Sequence, residues 1–150
     1  MLQIALFGWI LVVITVVIHA LGFTLVLRLM FKARAHIRLG FLQDMLIMVV
    51  LTCFLLLIHM AEMVVWALFY WGQGCLSDLG TAVYFSAETY TTLGYGDVIL
   101  PRPWRILAPM EALTGILMCG LSTGLFFGLV SRWIAQWMES KNAETAGKNG

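Results

Sequence analysis

Thr91-Thr92-Leu93-Gly94-Tyr95-Gly96-Asp97 is a short, polar, glycine-bearing stretch set between long apolar ones. Glycine accepts backbone conformations that other residues resist. Gly94 and Gly96 alternate with larger residues, so this segment is free to take up a non-helical path. In isolation it reads as a glycine-rich turn. Its surroundings change that reading, because non-helical backbone at membrane depth is tolerated only where protein buries it or it lines a water-filled path.

The surroundings are those of a membrane protein. The chain of 150 residues is 61% hydrophobic and 11% charged, with a mean hydropathy of +0.93, outside the range of ordinary soluble domains. A bilayer core of about 30 Å needs roughly 20 helical residues. Three stretches suffice: Leu2 to Leu29, Met45 to Trp71, and Trp104 to Trp137. The first has no Lys or Arg ahead of its core and is too long for a signal peptide, so it is expected to be retained. Arg28, Lys32, Arg34 and Arg38 place the loop after it in the cytoplasm, with the N-terminus outside and the C-terminus inside. Arg132, Lys141 and Lys148 agree, whereas Arg102 and Arg105 count against this orientation. The six tryptophans, Trp9, Trp66, Trp71, Trp104, Trp133 and Trp137, mostly fall near predicted span ends, where indoles favour the interface.

Between spans two and three the chain reads as a re-entrant unit. Gly72-Gln73-Gly74 ends span two, and Ser77 or Asp78 caps a helix over Leu79 to Tyr90. The C-terminal end of that helix aims partial negative charge towards the point where the glycine segment begins. Pro101 and Pro103 close the loop, Pro103 suiting the first turn of the next helix.

The string Thr91 to Asp97 resembles the selectivity filter of potassium channels, usually written T-V-G-Y-G-D. From Tyr84 to Trp133 the chain is similar to the pore helix, filter and inner helix of simple bacterial potassium channels. Phe85-Ser86-Ala87-Glu88-Thr89-Tyr90 leads into the filter as in that family, and Trp104-Arg105 and Gly115 stand at its outer-mouth arginine and inner-helix glycine. The resemblance implies an all-α membrane protein of three transmembrane helices, with a re-entrant pore helix and filter loop between the second and third. It implies a homotetramer in the cell membrane that conducts potassium passively, the ion being held by carbonyls of Thr92, Leu93, Gly94, Tyr95 and Gly96. A weakly selective cation channel, or a subunit of a potassium uptake transporter, is the alternative. Leu93 replaces the usual valine, and the first span is an addition to the two-helix plan. By the same resemblance Ile116, Cys119, Thr123 and Phe127 face a cavity, with Phe127 or Phe126 as a hydrophobic constriction, and Gly115 is a bending point for gating, the alternative being packing alone.

Other residues carry expectations of their own. Glu88 and Asp97 could pair behind the filter on one shared proton, since two close buried charges are costly, or Asp97 could be a solvated mouth residue. His59 and Glu62 lie one helical turn apart and are read as hydrogen-bonding to neighbouring helices. Glu111 is expected to support the pore helix, and His19 to be a satisfied packing residue. Gly120, Gly124 and Gly128 share a helix face that permits close approach. Cys75 is expected on the outer side, where an intersubunit disulfide is open to it; the three cysteines form no metal motif. No catalytic constellation is present, so the chain reads as a non-enzyme without a cofactor. Its expected partners are then its own copies and membrane lipid, with a separate regulatory protein left open and no nucleic acid. The expected organisation is an N-terminal helix (1–30), a basic cytoplasmic loop (31–44), a pore domain (45–138) and a disordered cytoplasmic tail (139–150).

Overall fold

The structure, a computed structural model, describes residues 2–34 and 41–148. Among these residues lie four α-helices, α1 (Leu2–Arg34), α2 (Phe41–Gly72), α3 (Leu79–Tyr90) and α4 (Leu107–Lys148), and a 3-10 turn at Arg102–Trp104. There is no strand among the described residues. Three helices hold apolar spans, at Leu2–Leu29, Met45–Gly72 and Arg102–Glu139, long enough to cross a membrane. This is an all-helical membrane protein, with the short α3 between the second and third spans.

Three boundaries differ from expectation. Residues 31–34 and 41–44, read as loop, are helical, because α1 and α2 continue past their apolar stretches. Arg38 and the rest of 35–40 lie outside the described residues. Residues 139–148, read as a disordered tail, continue α4. Their Glu, Lys and Ala content has good helix propensity, and no proline interrupts it, so a helix already nucleated by the apolar stretch propagates through them.

The chain divides into two compact units, Met1–Met118 and Cys119–Gly150. In the first, α1 and α3 both pack on α2. α1 buries a stripe of Leu11, Thr15, His19, Phe23 and Val26, whose three- and four-residue spacing is one helix face. The opposite face, including Trp9, Val13, Val17 and Leu21, is exposed, as suits contact with lipid. Gly22 lets α1 approach α2, since a Cβ there would meet Ile58 at 2.8 Å.

The core of this unit is Leu11, Trp66, Tyr70, Cys75, Phe85, Leu100 and Leu107. Tyr70 and Phe85 meet edge to face, their centroids 5.3 Å apart. Trp66, grouped by sequence with the interfacial tryptophans, is wholly buried, and its Nε1–H donates to the Thr15 hydroxyl at 3.1 Å. Cys75, expected on the outer side of the membrane, has a buried side chain, because the turn at Gly74 (φ 65°) and a bond from the Cys75 N–H to the Tyr70 carbonyl fold it back over the end of α2. That burial raises its thiol pKa and removes it from any disulfide in this conformation.

Candidate functional site

α3 is fixed at both ends. Asp78 is the residue that caps it, with extended backbone, and its Oδ1 accepts the Thr81 N–H at 2.9 Å. Its Oδ2 accepts from the Thr81 hydroxyl at 2.7 Å and from Ser77 at 3.1 Å, bonds that hold the carboxyl below the usual range. At the other end the Thr91 N–H donates to Ala87 O at 3.1 Å. The amides of Leu93 and Gly94 both donate to Glu88 O, at 2.8 and 3.2 Å. The last turn of α3 is therefore closed by the segment that follows it, which ties the start of Thr92–Gly96 to the helix.

That segment leaves the helix with an unusual backbone. Thr92, Gly94 and Gly96 have φ of 61°, 55° and 79°, whereas Leu93 and Tyr95 between them have no positive φ. In an extended strand successive carbonyls alternate in direction. Alternating handedness instead collects successive N–H groups on one side, as in an anion-binding nest, and so turns the carbonyls to the other. The glycines were expected to carry this conformation. Thr92 was not, and a β-branched residue in the left-handed region is an outlier of the kind held only where the surroundings enforce it. All of Thr91–Asp97 is exposed in a single chain, Leu93 at 59% and Tyr95 at 69%.

Behind the segment runs a groove lined by Glu88, Thr89, Thr92, Gly94, Gly96 and Pro109. Glu88 is 4% exposed, and its Oε2 has no hydrogen-bond partner among the described residues. Its neighbours are the Asp97 carboxyl and the backbone N–H of Tyr95. Burial first, and the nearby Asp97 charge second, raise the Glu88 carboxyl above the usual range. Asp97 itself is exposed and accepts from the Tyr84 hydroxyl at 2.9 Å, which raises the Tyr84 pKa. The structure thus brings Glu88 and Asp97 together, one buried and the other at the surface.

α4 supports the same unit. Glu111 is fully buried, accepting from Ser86 on α3 at 2.5 Å and from the Tyr70 hydroxyl on α2 at 2.7 Å. Ser86 also reaches the Met63 carbonyl at 2.8 Å. Glu111 therefore supports α3, as expected, and joins three helices. Gly115 is a contact point: a Cβ there would stand 2.1 Å from the Tyr90 carbonyl oxygen. Of the expected cavity residues, Ile116 is exposed in the first unit, and Cys119, Thr123 and Phe127 are exposed along α4 in the second. The Thr123 hydroxyl donates back to Cys119 O at 2.8 Å. At Gly120, Gly124 and Gly128 a Cβ would meet nothing within 4 Å among the described residues.

One arrangement went unforeseen. His19 on α1 shares a 2.9 Å contact between its Nδ1 and Glu62 Oε1. His59 Nδ1 lies 3.3 Å from Glu62 Oε2 and 2.9 Å from the Tyr90 hydroxyl, and Tyr90 also bonds to Glu62. His59 with Glu62 was legible as a turn-spaced pair. That the lone His19 and the last residue of α3 join them follows only from helix packing.

The family model described as an ion channel matches residues 45–132, the stretch from α2 through the exposed segment into α4. No curated protein and no solved structure matches the chain. With more than half of its length matched, the chain belongs to the ion channel family.

Proposed function

We propose that this ion channel conducts potassium selectively and passively across the cell membrane, through a pore made by four copies of the chain. Each copy contributes one strand, Thr92–Gly96, whose carbonyls replace the water shell of the ion, with the Thr92 hydroxyl as a further ligand. The observation that carries this reading is the alternation of positive φ at Thr92, Gly94 and Gly96, which gives successive carbonyls a common direction. The exposure of Leu93 and Tyr95 fits a strand that other copies cover. The C-terminal end of α3 adds partial negative charge where the strand begins.

Glu88 and Asp97 support the strand from behind by sharing one proton, which serves the buried and otherwise unpartnered Glu88 oxygen. The N-terminus is outside and the C-terminus in the cytoplasm, by the basic residues near Arg28. The test is the reversal potential of the purified protein in liposomes under a potassium–sodium gradient. A potential near that of potassium supports selectivity, and one near zero assigns a weakly selective cation channel. No flux without a further protein or ATP would favour a transporter subunit.

A further inference from the structure

We propose that His19, His59 and Glu62 form a binding site for a zinc-like transition-metal ion, built where α1 and α2 meet the end of α3. One ligand atom from each residue lies within 4.8 Å of the other two. His19 Nδ1 lies 2.9 Å from Glu62 Oε1 and His59 Nδ1 lies 3.3 Å from Glu62 Oε2, so each imidazole faces its own carboxylate oxygen. A tetrahedral zinc ion with bonds of about 2.0–2.1 Å separates its ligands by about 3.3 Å, close to both nitrogen–oxygen separations, so side-chain adjustment within the 4.8 Å cluster would admit the ion. Two imidazoles and one carboxylate are a zinc donor set with a fourth position open. They also disfavour magnesium and calcium, which take oxygen ligands.

The position is prepared in other respects. His19 and Glu62 are 1% and 0% exposed, so the carboxylate would meet the ion without competing solvent. His59, at 12%, is the side from which an ion would enter. The Tyr90 hydroxyl contacts both His59 and Glu62, and so can orient them or take the fourth position. The three donors come from two helices, which rigid elements hold better than a loop would. In the described conformation these groups satisfy one another by hydrogen bonds, so metal would exchange with protons on the two imidazoles.

The test is binding, which stands apart from conduction and from potassium selectivity. The full-length protein, purified in detergent with chelator and then freed of it, is titrated with zinc alone and separately with cobalt(II) alone. The expected result is one ion per chain, with the intense visible absorption of tetrahedral cobalt. Removal of a direct ligand, as His19→Ala or Glu62→Gln, should weaken binding at least about tenfold, since even outer partners are worth that much. His19→Cys should retain cobalt and add a sulfur-to-metal charge-transfer band. This band reports the ligand itself, so it distinguishes lost coordination from lost folding.

Failure of the wild-type protein to bind either ion overturns the proposal. So does binding unchanged in both His19→Ala and Glu62→Gln, or a charge-transfer band in the wild-type protein, which would place the metal on cysteine.

Discussion

Gly115→Ala tests whether α4 and the end of α3 are in contact as described. The added methyl would stand 2.1 Å from the Tyr90 carbonyl oxygen, and 3.0 Å from its carbon. Carbon–oxygen contacts do not close below roughly 3 Å, so backbone, not the tip of a flexible side chain, must retreat by about 1 Å. Overpacking of this kind costs about 1–3 kcal/mol. Against it stands the helix preference for alanine over glycine, about 1 kcal/mol in a helix interior.

Because the opposing atom is backbone, the clash should cost the upper end of that range, leaving a net loss of about 2 kcal/mol per chain. The displaced carbonyl lies two residues before Thr92, so part of the strain should reach the proposed ion ligands. Thermal unfolding of the purified protein and its reversal potential in liposomes report the two effects. Gly72→Ala is the control, since a Cβ there meets nothing within 4 Å and φ is not positive. A Gly115→Ala protein with unchanged unfolding temperature and unchanged selectivity would refute the contact and the reasoning built on it.

Gly96→Ala, at φ 79°, should cost about 1–2 kcal/mol of backbone strain in each strand and abolish potassium-over-sodium discrimination while the protein still inserts; retained discrimination would reject the filter assignment. Cys75, being buried, should resist a membrane-impermeant maleimide, whereas Gln73→Cys, at an exposed position, should label from outside; labelling of it only from the cytoplasmic side would invert the topology. Glu88 binds its proton more tightly in the native protein than free in water, so the stabilisation is fully present below the ordinary glutamate range and is lost as pH rises through the raised value. Current decay should therefore quicken with rising external pH, and Glu88→Gln, which cannot ionise, should remove that dependence; an undiminished pH response in this variant would dismiss the shared proton.

The limits of α3 were legible because its signals are local: an Asp cap at one end, glycine-bearing backbone at the other, and helix-length spacing between them. The spans were legible from length and hydropathy alone. What failed to show in the sequence depends on which faces meet. Trp66 and Cys75 have compositions suited to an interface and an outer loop, and only the packing of α1 and the turn at Gly74 bury them. The left-handed Thr92 was hidden for a different reason, since its type argues against the conformation that the hydrogen bonds to Glu88 O help to hold. At Gly115 the sequence left bending and packing open, and the Tyr90 carbonyl supplies a packing reason for glycine.

Glu111 binds Ser86 and Tyr70 within one polypeptide, so α3 is anchored to α2 and α4 before any second copy arrives. In the proposed four-copy pore, assembly then has only to align strands that each protomer has already shaped. A chain whose strand is chemically spoiled should keep this anchorage and remain competent to join normal ones. Co-expressed with intact protein, it should silence mixed assemblies out of proportion to its share, whereas a chain lacking the Glu111 carboxylate should be discarded and leave its neighbours untouched.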